Sequence, residues 1–203
     1  VRRQVAAALV PLLLAAAAGC TRPAIPPPAS EPPPPFADCA TLTTPPATAP
    51  AVATPAAAGT APVTLAGVRL PCFTGGAQVD LAAVRGPAVL NLWGSWCAPC
   101  RRELPAFQRL AGRAGDRVHV VGVVTRDDRE AARSLAADLG LTFPTLYDPD
   151  ERLLRGLGRG SVLPVTVLLD AAGRVRHVDA SGSLDDTALA ALVEDHLGVR
   201  VGS

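Results

Sequence analysis

Two cysteines separated by two residues, in the run Trp96-Cys97-Ala98-Pro99-Cys100, are the groups whose type and spacing point most directly to chemistry. They follow an apolar run at 88–93 and open a helical pattern that extends from 97 to about 114. A strand that feeds a helix fixes the position of the pair. The helix start offers unpaired N–H groups and a positive dipole end, and both favour a thiolate. Cys97, first on the helix, is expected to be the exposed nucleophile with a lowered pKa, and Cys100, one turn inside, the resolving thiol. Pro99 fixes one backbone angle between them, and Trp96 is expected to pack beside the site, whereas Trp93 reads equally well as core filling.

Competing uses of the pair fit less well. A structural zinc site needs two further ligands at suitable spacing, but there is no second Cys-x-x-Cys, and His119, His177 and His196 form no His-x-x-x-His pair. Covalent haem attachment needs a histidine after the second cysteine, and Arg101 stands there. An inert bridge over so short a loop would constrain little of the unfolded chain. Dithiol–disulfide exchange remains, with no metal or cofactor expected.

The elements around the pair read as strands alternating with helices. Residues 68–73 and 78–81, with glycines between them, read as a hairpin. The runs 88–93, 118–124 and 165–169 are apolar without alternation, as strands covered on both faces are. A helix is expected after Asp127-Asp128 to about 139, a short one at 151–157 after Leu146-Tyr147-Asp148, and a last one at 185–197. A proline at 105 is expected to kink the first helix. A fourth strand at 175–180 follows a short turn at 170–173, so the last two strands must be antiparallel and the sheet mixed. His119, His177, the Asp127-Asp128 pair and the 148–150 turn read as surface, core or capping residues.

Upstream of the domain the composition changes. Arg2 and Arg3 precede an apolar stretch at 5–18, then Ala17-Ala18-Gly19-Cys20, so 1–19 reads as an export signal. The last four residues resemble a bacterial lipobox, with Ala17 where Leu is usual, and make Cys20 the expected site of lipidation. Ordinary cleavage near Ala18, giving a secreted protein, is the alternative. Residues 20–62, rich in Pro, Ala and Thr, read as a stiff tether, and 63–203 as the folded domain. The chain has five cysteines. With Cys20 lipidated and Cys97 paired with Cys100, Cys39 and Cys72 are left for each other, and an extracytoplasmic compartment permits that bridge. A formal net charge of +1, with no basic block, gives nucleic-acid binding no support.

The block 91–105, Asn-Leu-Trp-Gly-Ser-Trp-Cys-Ala-Pro-Cys-Arg-Arg-Glu-Leu-Pro, resembles the active-site block of TlpA/ResA-like thioredoxin-fold proteins. The resemblance covers about 68–197 and extends to Gly86 and to Leu163-Pro164. It implies an α/β, three-layer thioredoxin-like fold, a mixed central sheet flanked by helices with an N-terminal β-hairpin. It also implies a membrane-tethered, extracytoplasmic thiol–disulfide oxidoreductase acting as a monomer on exported proteins such as apocytochrome c. A membrane or extracytoplasmic redox partner would complete the cycle. The same resemblance implies a cis bond before Pro164, with the Leu163 backbone pairing with a substrate segment, and an acid/base role for Glu103. Asn91 replaces the buried aspartate of thioredoxin itself, and Arg101 and Arg102 are weaker candidates for thiolate stabilisation. Direction is open, because an oxidase or isomerase would use the same residues. A peroxide-reducing enzyme would need Thr where Gly94 stands. A copper carrier on the same scaffold would space its cysteines one residue further apart.

Overall fold

The strand β3, Ala88–Trp93, is buried at every position and lies at the centre of the sheet. The computed structural model describes residues 33–48, 65–76 and 78–202. The expected export signal, with residues 20–32 (Cys20 among them) and 49–62 of the expected tether, lies outside them. Among the described residues, β1 (Arg69–Pro71) and β2 (Gln78–Asp80) form an antiparallel hairpin. Five strands form a second sheet in the order β5-β4-β3-β6-β7, with β4 His119–Thr125, β5 Thr145–Asp148, β6 Val165–Leu169 and β7 Val175–Asp179. β3, β4 and β5 are parallel, and β6 and β7 continue the sheet antiparallel. The mixed sheet and the antiparallel final pair follow the sequence expectation. β5 was legible in the sequence only as a lead-in to a helix, because four residues are too few to show a period.

Side-chain alternation along β3 divides the core. Val89 and Trp93 face a layer that includes α1 (Ala98–Ala114), α2 (Arg129–Asp138) and α4 (Asp186–Leu197). Ala88, Leu90 and Leu92 face the hairpin and α3 (Arg152–Gly156). That is the three-layer thioredoxin-like arrangement, and it leaves Asn91 on the α1 side, where a polar group needs a partner. α1 runs unbroken through Pro105, with Leu104, Phe107 and Leu110 buried. None of the helices among the described residues is long and apolar enough to cross a membrane.

The chain enters β3 through Gly86, where a Cβ would lie 2.2 Å from the Asp170 carbonyl oxygen and 2.7 Å from that of Leu169. Only glycine lets the two backbones approach so closely. The Gly86–Pro87 peptide is cis, as is Leu163–Pro164.

Part of the Pro-rich segment is folded. Phe36, Cys39 and Leu42 are buried. The Ala37 amide donates to the Thr142 carbonyl at 2.8 Å, and Thr44 offers its carbonyl to His119 Nε2 at 3.0 Å. Cys39 and Cys72 are joined by a disulfide with Cα atoms 5.9 Å apart.

Candidate active site

β3 ends at Trp93, the chain turns through Gly94-Ser95-Trp96, and Cys97 becomes the N-cap of α1. The Cys100 amide donates to Cys97 Sγ at 3.2 Å, and the Arg101 amide to the Cys97 carbonyl at 3.1 Å. The sulfur cap thus satisfies the Cys100 amide, which would otherwise be unpaired at the helix start, and the Arg101 bond is the first of the helix itself. Pro99, in the first turn, has no N–H that needs a partner there. Cys97 and Cys100 form a disulfide with Cα atoms 5.3 Å apart.

Sequence reasoning expected Cys97 to be exposed. In this oxidised state it is only 4 % exposed and Cys100 fully buried. The reason is geometric: bonded to Cys100 and accepting its amide, the Cys97 sulfur is turned back over the helix end rather than out to solvent. Trp96, beside it, is half exposed, and its Nε1–H donates to the Arg126 carbonyl at 2.9 Å. Trp93 is fully buried and fills the core. Arg101 and Arg102 lie on the exposed surface of α1.

Glu103 lies one turn beyond Cys100 and is buried. Its Oε1 accepts from Asn91 Nδ2 at 2.5 Å, and its Oε2 accepts the Leu184 amide at 3.0 Å. Asn91 Oδ1 has no hydrogen-bond partner. Burial raises the Glu103 pKa from its ordinary 4.5 to about 7; the bonds from Leu184 and Asn91 oppose that shift and the Asp179 charge adds to it. A carboxyl that titrates near neutrality can both take and give a proton at working pH.

The second loop of the site comes from β6. The β3–β6 register runs to the Leu92–Val165 pair, one residue short of Trp93 and Pro164, and Leu163 packs against the core cluster that holds Trp93, Cys97 and Cys100, which puts the cis peptide Leu163–Pro164 next to the cysteine turn. Leu163 is partly buried and Pro164 buried.

A third element, the loop after β4, was not singled out as part of the site. Asp127 grips the cysteine turn: its carboxylate accepts the Ser95 amide, and the Ser95 hydroxyl at 2.9 Å. Its neighbour Asp128 caps α2 by accepting from the Glu130 and Ala131 amides. The available signal was position, since β4 is parallel to β3 and loops at the carboxyl ends of adjacent parallel strands converge. Asp148 serves as a cap for α3, accepting from the Arg152 and Leu153 amides at 2.8 and 3.0 Å. His177 stacks on His196, ring centroids 4.0 Å apart. Among the described residues no group of three or more His, Cys, Asp or Glu side chains is placed to hold a metal ion.

Comparison with known proteins places this geometry in context. ResA, a thiol-disulfide oxidoreductase of Geobacillus thermodenitrificans, is 35% identical over 92 residues, which are 44% of this chain and 51% of that protein. The thiol:disulfide interchange protein DsbE of Yersinia pestis is 38% identical over 101 residues, 49% of this chain and 51% of its own length. The chain therefore spans about half the length of these curated relatives. Among solved structures, a DsbF homologue from Corynebacterium diphtheriae matches with a TM-score of 0.56 and 33% identity, over 63% of this chain and 83% of that one. A secreted Mycobacterium tuberculosis disulfide oxidoreductase homologous to DsbE of Escherichia coli also matches with a TM-score of 0.56. It is 26% identical and covers 63% of this chain and 95% of that one. The AhpC/TSA family model matches residues 63–178, more than half of the sequence, and the chain belongs to that family, in its thioredoxin-fold form.

Proposed function

We propose that this chain is an extracytoplasmic thiol–disulfide oxidoreductase that works through Cys97 and Cys100 and reduces disulfides of exported proteins. The observation that carries the reading is the Cys97–Cys100 disulfide at the start of α1, one turn from a buried carboxyl with a pKa of about 7. In the reduced enzyme the Cys97 thiolate attacks one sulfur of a substrate disulfide. A mixed disulfide forms and the other substrate sulfur leaves as a thiolate, which takes up a proton. Glu103 takes the proton of Cys100, whose thiolate attacks Cys97 Sγ. The mixed disulfide breaks, the second substrate thiol is released, and two electrons have passed from the enzyme dithiol to the substrate. Leu163 offers its backbone to an extended substrate segment beside Pro164, and Trp96 and Pro99 border the same surface. A membrane or extracytoplasmic dithiol partner returns the enzyme to its reduced state.

The chain acts as a monomer, exported through 1–19 and held at the membrane by lipid on Cys20, with the Pro-rich residues before the folded stretch 33–48 between anchor and domain. Secreted relatives of known structure support the compartment. The peroxide-reducing alternative is disfavoured at Gly94, where a Cβ would lie 2.7 Å from the Trp96 Nε1. A threonine there would displace the indole from its bond to Arg126.

The test is catalysis of insulin reduction by dithiothreitol, joined to a Cys100→Ser variant that traps mixed disulfides in cells. Acceleration by the wild-type protein and capture of exported proteins through Cys97 are expected. Tight Cu(I) binding by the reduced protein without exchange activity would reject the reading for a copper carrier. The measured reduction potential of the Cys97/Cys100 pair separates a reductase from an oxidase or isomerase. Labelling with a radioactive fatty acid, lost in Cys20→Ala, tests the anchor.

A further inference from the structure

We infer that Arg126 is a positioning residue that locks the cysteine turn and the loop before Pro164 into one surface, and that this lock sets KM for protein disulfides without taking part in the exchange chemistry. The inference rests on the oxidoreductase reading above.

Among the described residues, two non-glycine residues have positive φ, Arg126 at 50° and Glu151 at 55°. The left-handed region is unfavourable for side-chain-bearing residues, and where it persists the surroundings must enforce it. Here the two are partners: Arg126 Nη1 lies 3.1 Å from Glu151 Oε1. Both also donate their backbone amides to the Asp148 carbonyl, at 3.1 and 3.3 Å.

From that conformation Arg126 reaches two further elements. Its guanidinium stacks over the Trp96 ring, 4.8 Å from the centroid, while its carbonyl accepts the indole N–H. Its Nη2 donates to the Ser161 carbonyl at 3.4 Å, and the Ser161 hydroxyl donates to Glu151 Oε2 at 3.2 Å. One side chain thus holds the residue before Cys97 and the residue two before Leu163. A planar, five-donor guanidinium can stack and donate sideways at once, which an ammonium cannot.

What it holds in place is apolar. Trp96 and Val162 are the exposed large hydrophobics of the described residues, at 50 % and 61 %. One precedes Cys97 and the other precedes Leu163-Pro164, so both lie in the two segments that Arg126 joins. Exposed aromatic and aliphatic groups beside a reactive centre are the chemistry of peptide anchoring. A protein disulfide can reach across both segments that Arg126 joins, whereas a small disulfide needs only the cysteines.

The test compares reduction of insulin with reduction of glutathione disulfide in Arg126→Gly, a substitution that suits the positive φ and removes only the side chain. KM for insulin is expected to rise about fivefold, the scale of one lost cation–π contact, with kcat and the glutathione disulfide rate unchanged. In a Trp96→Ala background the same substitution should raise KM by a smaller factor than in the wild type, because the indole contact is already lost and only the Ser161 and Glu151 contacts remain to be removed. Acrylamide quenching supplies a spectroscopic readout: with Trp93 buried it reports Trp96, and it should increase in Arg126→Gly. If the glycine variant does not fold, Arg126→Asn, which also tolerates this φ, is read in the same way. Unchanged KM and quenching, or an equal loss on both substrates, would overturn the inference. A wild-type protein that reduces neither substrate would sink the oxidoreductase reading instead, while quenching would still decide the Arg126–Trp96 contact.

Discussion

Asn91 and Glu103 are bonded across the boundary between the central strand and the helix that carries the disulfide, 2.5 Å from Nδ2 to Oε1. The strand residue cannot itself exchange a proton, so it orients the carboxyl that can. Exchange should therefore speed up as pH rises through about 7, where the Glu103 carboxylate forms and can take the Cys100 proton. Glu103→Gln should lose this step in the profile and slow exchange tenfold or more near neutrality, a modest effect for removal of a general base. Stopped-flow rates from pH 5 to 9 check it, and superimposable profiles would remove Glu103 from the mechanism.

The same burial has a thermodynamic sign. A carboxyl whose pKa is higher folded than unfolded holds its proton more tightly in the native state, so stability falls as pH rises between the two values. For Glu103 that window runs from 4.5 to about 7, and the fall amounts to about 3 kcal/mol at ~1.4 kcal/mol per pH unit. Urea unfolding of the oxidised protein at pH 4.5 and 7.5 should show this decline relative to Glu103→Gln, and parallel stabilities would contradict it.

Of the two active-site cysteines, only Cys97 has any exposed surface, and it caps the helix whose N-terminal dipole favours a thiolate once the disulfide is reduced. A short pulse of iodoacetamide on the reduced protein should alkylate Cys97 first, with Cys100 following only on denaturation. Peptide mass mapping reads the order, and preferential labelling of Cys100 would reverse the assigned roles.

The Cys39–Cys72 bridge closes a sequence separation of 33. In the chain-entropy model a loop of that length is stabilising by about 3–4 kcal/mol. Replacing both cysteines by serine should lower unfolding stability by that amount and leave insulin reduction intact at low temperature. Loss of activity in a fully folded variant would show that this bridge takes part in the chemistry.

Much of this arrangement was legible in advance because it depends on local pattern. The buried run ending at Trp93, the cysteine pair after it and the helix with Leu104, Phe107 and Leu110 read directly from residue type and period. Glu103 was placed near the thiols by its spacing and by family resemblance, but its bond to the Leu184 amide links positions 81 residues apart, and no periodicity reports such a contact. Arg126 and Asp127 were missed for the same reason. Capping explained the Asp127-Asp128 pair well enough, and it accounts for Asp128 alone. The burial of Cys97 eluded sequence reading because exposure depends on where the sulfur points once bonded.

The Cys39–Cys72 bond also determines how the domain bears load. Phe36 and the residues before Cys39 are held by packing and by hydrogen bonds such as Ala37 to Thr142, which yield one at a time under tension. Beyond them a pull on the chain from upstream meets a covalent link into the end of the hairpin. Force is diverted into Cys72 and, while the bond is intact, bypasses the span of 32 residues between the two cysteines. The segment 40–48 is thereby spared from peeling, and its release requires a reductant rather than a stronger tug.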